Sequence, residues 1–413
     1  MATGWSGGPR VTVVNPPLLR ESGGGDALPG GDMKTRAAVL WGLHQEWQIE
    51  EIDLDGPKAG EVLVRWEAAG LCHSDEHLVT GDMVPAAEIL EQFNLPPSFP
   101  IIGGHEGAGT VLEVGDGVRN LRPGDHIAAS FIPACGRCAF CVTGRTNLCD
   151  LGAQVFGPGQ IGDGTDRHHL DGRGVPIVAK LGTFAEHGVI NEASAIKVDP
   201  DLPMTAVALV SCGVATGFGS ARYRAEVQPG ETVVVVGVGG IGINAVQGAR
   251  IAGARTIVAV DPVEFKQKSA LDFGATHTAA SMAEAVPLVT ELTRGVMADA
   301  VILTPSVMYG DLLAPALSLT AKGGTCVVTA VAPMDQAEAS LNLFELAMWQ
   351  KEIRGVIFGG GNPRYDIPVL LELYRSGQLK LDELITRTYP LDQINQGYED
   401  MRAGNNIRGV LLP

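Results

Sequence analysis

Cys135, Cys138, Cys141 and Cys149 stand in the pattern C-x2-C-x2-C-x7-C. Four thiolates spaced that closely can surround one ion tetrahedrally, at roughly 2.3 Å per Zn–S bond. Four protein ligands leave no open coordination position, so such a zinc is structural. Free thiols are the plain alternative. An iron–sulfur cluster is the other, although its cysteine spacings differ.

Three more donors are scattered along the chain. Cys72 lies in Gly70-Leu71-Cys72-His73-Ser74-Asp75, at the end of a predicted strand. His105 lies among glycines in Gly103-Gly104-His105-Glu106-Gly107, and Cys212 lies in Ser211-Cys212-Gly213. A catalytic zinc needs three protein ligands and one exchangeable position. Two thiolates and one imidazole would give a neutral centre whose open position takes water or a substrate oxygen. Each residue alone has a duller reading: Cys72 and Cys212 as buried thiols, His105 as a core histidine with ordinary partners. Cys326, in an apolar strand run with no polar neighbours, is left as a core thiol.

Gly237-Val238-Gly239-Gly240-Ile241-Gly242 follows a run of four valines and opens a predicted helix. Gly237 permits a tight turn, Gly239 lets a pyrophosphate approach the backbone, and Gly242 lets helix pack on strand. The helix N-terminus favours the negative phosphates. A second predicted strand ends at Asp261, nineteen residues past Gly242. A carboxylate there can bond both ribose hydroxyls and would repel a 2′-phosphate, which favours NAD over NADP.

Two kinds of scaffold must hold these motifs. From Lys34 onward, short strands such as 61–66 and 109–114 alternate with Gly and Pro turns, so the first part is mostly β. From Thr232 the rhythm becomes strand, helix, strand: 232–236, 241–252, 256–260, then strands at 299–303 and 325–331. That alternation predicts a parallel sheet with right-handed crossovers. The tail carries a predicted helix at 368–376 and a short strand ending at Leu412. Residues 1–32, with Gly23, Gly24 and Gly25 and no amphipathic period, read as a disordered leader or an over-long start, with Met33 as an alternative first residue.

At 413 residues the chain is long enough for two or three domains of ordinary size. Its 45% hydrophobic and 19% charged residues are a globular composition. A net charge of −17 argues against binding a phosphate backbone, so no nucleic-acid partner is expected. No apolar stretch reaches the ~20 residues of a membrane span, and no signal core follows a basic start. A cytoplasmic location is expected, where seven cysteines point to metal or catalysis rather than disulfides.

Taken together, in this order, these motifs resemble the zinc-containing medium-chain alcohol dehydrogenases over nearly all of residues 34–413. The resemblance implies an α/β plus β fold, a GroES-like β catalytic domain with an inserted Rossmann doubly wound parallel-sheet domain. The divisions expected are 33–213 and 358–413 for the catalytic domain and 214–357 for the nucleotide domain. It implies two zinc ions per chain and NAD(H): Cys72, His105 and Cys212 around the catalytic zinc, Cys135, Cys138, Cys141 and Cys149 around the structural one. It further implies that Ser74 contacts the substrate oxygen and starts a proton relay through the ribose to His77. Asp75 would orient His105, Glu106 would sit behind the metal, and Phe131 would line the substrate pocket. Around the cofactor, Gly237, Gly239, Gly240, Gly242 and Asp261 would be joined by Lys266 at the adenosine ribose and Arg408 at the pyrophosphate. His73 takes a pyrophosphate-contact position where many relatives have Arg, which would weaken that contact.

Within the family, the stretches 72–82 and 331–334 look most like the actinobacterial nitrosodimethylaniline-dependent enzymes, nicotinoproteins that keep NAD(H) bound through turnover. The implied partners are a small alcohol or aldehyde, an external electron acceptor, and further copies of the chain in a dimer or tetramer. A thiol-adduct formaldehyde dehydrogenase is the nearest rival. That branch typically has Arg four residues after the last structural cysteine, where this chain has Ala153. A catalytically silent nucleotide-binding protein on the same fold is the rival from another class, and retention of every ligand and of Ser74 speaks against it. The segment 84–100 is longer than in the best-known relatives.

Overall fold

The protein is described from a computed structural model, which covers residues 33–92 and 97–413. The expected leader, 1–32, lies outside the described residues. Three sheets form the framework. In the first, Met33–Leu40 and Gln48–Leu54 pair antiparallel, with Ala37 opposite Glu50.

The second sheet is built on the long strand Glu61–Gly70. One edge pairs with Gly107–Val114. The other is shared: His187–Asn191 pairs with the first half, and Arg408–Leu412 pairs at the end, setting Val410 opposite Gly70. The last strand of the chain therefore lies beside the strand that leads into Cys72. Parallel pairing of Ile385–Pro390 with Arg408–Leu412 completes that edge.

The third sheet is parallel throughout, in the order His277–Ala279, Thr256–Val260, Thr232–Val236, Ala298–Leu303, Thr320–Val328, Glu352–Gly355. Thr232–Val236 is buried along its whole length, as a strand covered on both faces must be, which is why it reads as an unbroken valine run. Strand order reverses between Thr232–Val236 and Ala298–Leu303. The crevice at their carboxyl ends is where doubly wound sheets take ligands. The chain thus combines the expected β part with a doubly wound parallel sheet.

Helix Gly213–Gly219 leaves the β part, continues into a wide π turn at Ser220–Arg224, and packs on helix Gly242–Ile251. A Cβ on Gly217 would fall 2.1 Å from the Ile241 carbonyl oxygen, so this crossing depends on glycine. Two predicted elements have different limits. The strand expected at 325–331 stops at Val328, because the N–H groups of Thr329 and Ala330 both turn onto the Leu303 carbonyl. The helix expected at 368–376 starts at Pro363, with Asn362 accepting the Arg364 N–H as its cap and Pro363 where a proline costs no hydrogen bond. Among the described residues, no helix is long and apolar enough to cross a membrane.

Candidate metal centre and nucleotide loop

Helix His73–Thr80 starts directly after Cys72, whose backbone is still extended. That start puts Ser74 and His77, three residues apart, on neighbouring positions of one face. Asp75 is fully buried on another: its Oδ1 accepts the Gly104 N–H at 2.9 Å, and its Oδ2 lies 3.0 Å from Nδ1 of His105. Gly104 has φ +93°, and a Cβ there would meet Thr183 Oγ1 at 2.5 Å, so only glycine lets His105 swing inward. Cys212 stands at the start of helix Gly213–Gly219.

The donor atoms of Cys72, His105, Glu106 and Cys212 lie within 4.8 Å of one another, and all four residues are buried. Among the described residues, both ring nitrogens of His105 and Oε1 of Glu106 are buried without a hydrogen-bond partner. Electrostatics make the cluster fit a cation. Cys72 is held well below its usual range by its contact with Cys212, against the cost of burial, and that contact with burial pushes Cys212 well above. Burial pulls His105 down, but Asp75 and then Cys72 outweigh it and hold the ring well above its usual range. A divalent cation would let both sulfurs carry charge at once.

Glu106, expected behind the metal, has a carboxyl oxygen within the donor cluster. Burial pushes that carboxyl up to about 8 against the pull of Arg408, which donates to it from Nη2. Arg408 also fills the space left by Gly240, where a Cβ would fall 2.7 Å from its Cδ, and its Nε is buried without a partner. One side chain of the final strand thus joins the donor cluster to the glycine loop. Phe131 stands edge-on to His105, ring centroids 5.8 Å apart, and packs in turn on Phe358. Ser74 Oγ is 3.7 Å from Cys72 Sγ.

The glycine loop has the shape its spacing implies. Gly237 has φ +83°, and a Cβ on Gly242 would fall 1.8 Å from the Gly237 carbonyl oxygen. Gly239 faces open space, with nothing within 4 Å of a Cβ. Asp261 accepts the Val238 N–H at 3.0 Å and the Val263 N–H at 2.9 Å, so its carboxylate is tied to the loop. Lys266, half-buried on helix Glu264–Phe273, is near enough to His73 to oppose its protonation. Burial is the larger cause and pushes His73 down to about 4, so this ring is neutral near pH 7. Thr304, absent from the sequence reading, donates to the Gly237 carbonyl at 2.6 Å.

Donor atoms of Cys135, Cys138, Cys141 and Cys149 also lie within 4.8 Å of one another, and none is in a disulfide. Backbone N–H groups point at the sulfurs: Cys138 N–H at Cys135 Sγ and Cys141 N–H at Cys138 Sγ, both 3.4 Å. The N–H groups of Asp150 and Cys141 lower Cys138 to about 6, which favours the thiolate a metal needs.

Residues 58–200 match the alcohol dehydrogenase GroES-like domain, and residues 240–376 match the zinc-binding dehydrogenase domain. The NDMA-dependent alcohol dehydrogenase of Amycolatopsis methanolica is 48% identical over 92% of this chain and 99% of its own. The S-(hydroxymethyl)glutathione dehydrogenase of Paracoccus denitrificans is 37% identical, covering 92% and 100%. An alcohol dehydrogenase zinc-binding domain protein from Burkholderia ambifaria superposes with a TM-score of 0.82 at 31% identity, covering 92% of this chain and 99% of that one. Two successive domain matches, and a near-full-length relative at almost half identity, agree with the sheets and clusters above: the chain belongs to the zinc-binding alcohol dehydrogenase family.

Proposed function

We propose that this chain oxidises a small alcohol, or reduces its aldehyde, with two bound zinc ions and an NAD(H) molecule that stays in place through turnover. The observation that carries the reading is the buried cluster of Cys72, His105 and Cys212, with His105 Nε2 unpartnered and Ser74 beside it. Zinc in that cluster supplies Lewis acidity to a substrate hydroxyl, and NAD supplies the hydride acceptor. The chain's own residues do the rest. Ser74 would take the hydroxyl proton, and His77 would be the group that receives it in turn. Phe131 walls the pocket and excludes water. The open face of Gly239, the unpartnered Nε of Arg408 and the Asp261 carboxylate hold phosphates and ribose, with His73 as a neutral partner and Lys266 at the adenosine end. The four-cysteine cluster holds the second, structural zinc.

The catalytic part is proposed to be 33–213 with 358–413, around a nucleotide part at 214–357, and the chain is proposed to work in the cytoplasm as a dimer or tetramer. Retention of NAD(H), with an external acceptor that reoxidises it, rests on the 48% identity to a relative called NDMA-dependent. The thiol-adduct formaldehyde dehydrogenase reading is disfavoured by the lower, 37% identity to that kind of relative and by Ala153. Anaerobic screening of alcohols on the purified protein, watching nicotinamide absorbance, tests the proposal. Faster turnover of a hydroxymethyl-thiol adduct than of any simple alcohol would overturn it.

A further inference from the structure

We propose that Asp82 is a positioning residue for the proton relay, fixing His77 as the Nδ1–H tautomer so that Nε2 is free to take the proton. This rests on the alcohol dehydrogenase reading and adds a residue to it.

The placement follows from how the first helix ends. Gly81 has φ +94°, a conformation that favours glycine, and the N–H groups of Gly81 and Met83 both return to the His77 carbonyl, at 3.1 and 3.2 Å. The chain doubles back under His77 and brings Asp82 against its ring. Asp82 Oδ2 lies 3.0 Å from His77 Nδ1 and accepts the Thr80 hydroxyl at 2.6 Å. Thr80 first, and then His77, hold the Asp82 carboxyl below its usual range, so it is ionised at neutral pH. An ionised carboxylate can only accept hydrogen bonds, so the Nδ1 that faces it carries a proton, which leaves Nε2 as the nitrogen that exchanges one. His77 is buried, which holds the ring in that orientation, and the His73 ring lies nearby, with centroids 6.5 Å apart. When Nε2 takes the proton passed on from the substrate hydroxyl, the imidazolium formed faces the Asp82 charge. The proton would later leave Nε2 for solvent.

Asp82 is anchored from the nucleotide side as well. Its carbonyl accepts the Met334 N–H at 3.1 Å, from the segment that follows strand Thr320–Val328 at the carboxyl edge of the parallel sheet. The residue that holds the relay ring is thus also a contact between the two parts of the chain.

The test uses the zinc-loaded, nicotinamide-bound protein with Asp82→Ala, the isosteric Asp82→Asn, His77→Ala and the double variant His77→Ala/Asp82→Ala. In ¹⁵N spectra of histidine-labelled protein, the resonances lost in His77→Ala should be those of an Nδ1–H ring. They should move towards the Nε2–H pattern in Asp82→Ala. In turnover, Asp82→Ala should lower kcat roughly tenfold or more with little change in alcohol KM, Asp82→Asn less. In the His77→Ala background the same substitution should cost nothing further, because Asp82 acts only through that ring. An Nε2–H ring in the unmodified protein, equal kcat in both Asp82 variants, or losses that add in the double variant would each overturn the proposal. An unmodified protein that turns over no alcohol would instead strike the function reading.

Discussion

The Asp75 carboxylate accepts the Gly104 N–H and sets its other oxygen 3.0 Å from His105 Nδ1, which leaves Nε2 for the cluster with Cys72 and Cys212. Zinc-bound histidines are commonly held this way, with the second nitrogen given to a carboxylate. The arrangement separates the two cysteine clusters by consequence. Elemental analysis should find two zincs per chain under the reading above. Cys212→Ser should lower the count towards one and abolish turnover, while Cys138→Ser should mainly lower the melting temperature. Full activity and two zincs in Cys212→Ser would remove that ligand assignment.

Asp261 is tied to the glycine loop through Val238 and follows strand Thr256–Val260, where a ribose would lie. Its charge attracts the two hydroxyls and repels a 2′-phosphate. Asp261→Gly should therefore narrow the preference for NAD over NADP in binding measurements. It should also loosen the loop, so weaker binding of both is expected. An unchanged ratio would count against the carboxylate as the selector.

Ser74→Ala should leave the zinc count intact and cost roughly 10²–10⁴-fold in rate, the range for a lost acid–base step. The serine makes no other polar contact than that with Cys72 among the described residues, so folding should be unaffected. Near-normal turnover would remove Ser74 from the relay.

What could be read from the sequence divides along a physical line. Cys135–Cys149, Gly237–Gly242 and the approach of Cys72 are local patterns, where a few neighbouring residues fix the backbone, and the structure gathers them as expected. Cys72, His105 and Cys212 are far apart, and only their agreement with a family's order brought them together. The tie of Arg408 to Glu106 depends on Val410 pairing with Gly70, which no local pattern encodes. Asp82 had a local signal, a glycine closing a helix just before an acid, but its partner was fixed only by the left-handed turn at Gly81. The helix start at Pro363 was likewise signalled, by Asn362 and the proline after it.

His168 gives a pH-dependent stability. It is fully buried with Nε2 unpartnered, and burial pushes its pKa down to about 3. The unfolded ring titrates near ~6.5. Above that value both states are neutral and the stability is fully present. Below it the unfolded chain binds a proton that the folded chain refuses, so stability falls from about pH 6.5 towards pH 3, by about 1.4 kcal/mol per unit. Denaturant unfolding of His168→Gln between pH 6 and 4 should show a shallower loss than the unmodified protein. Parallel curves would show that the ring does not set the slope.

The last expectation is that NAD(H) does not leave during the cycle. A dinucleotide held by the Gly237–Gly242 loop, Asp261 and the buried Arg408 would be gripped at ribose and pyrophosphate together. The Met334 N–H donates to the Asp82 carbonyl, beside His77 of the relay. The segment 84–100 lies in sequence between the Cys72 and His105 motifs. Its helix Ala87–Gln92 has no buried residue. Under this reading, alcohol oxidation with added NAD as the only acceptor should stop after about one turnover per chain. It should continue when an aldehyde, or a nitroso dye such as nitrosodimethylaniline, reoxidises the bound NADH in place. Desalted protein should carry close to one nicotinamide per chain, and Asp261→Gly should lose it on the same column. Sustained NADH production with free NAD, from protein that purifies empty, would make this an ordinary cofactor-releasing dehydrogenase.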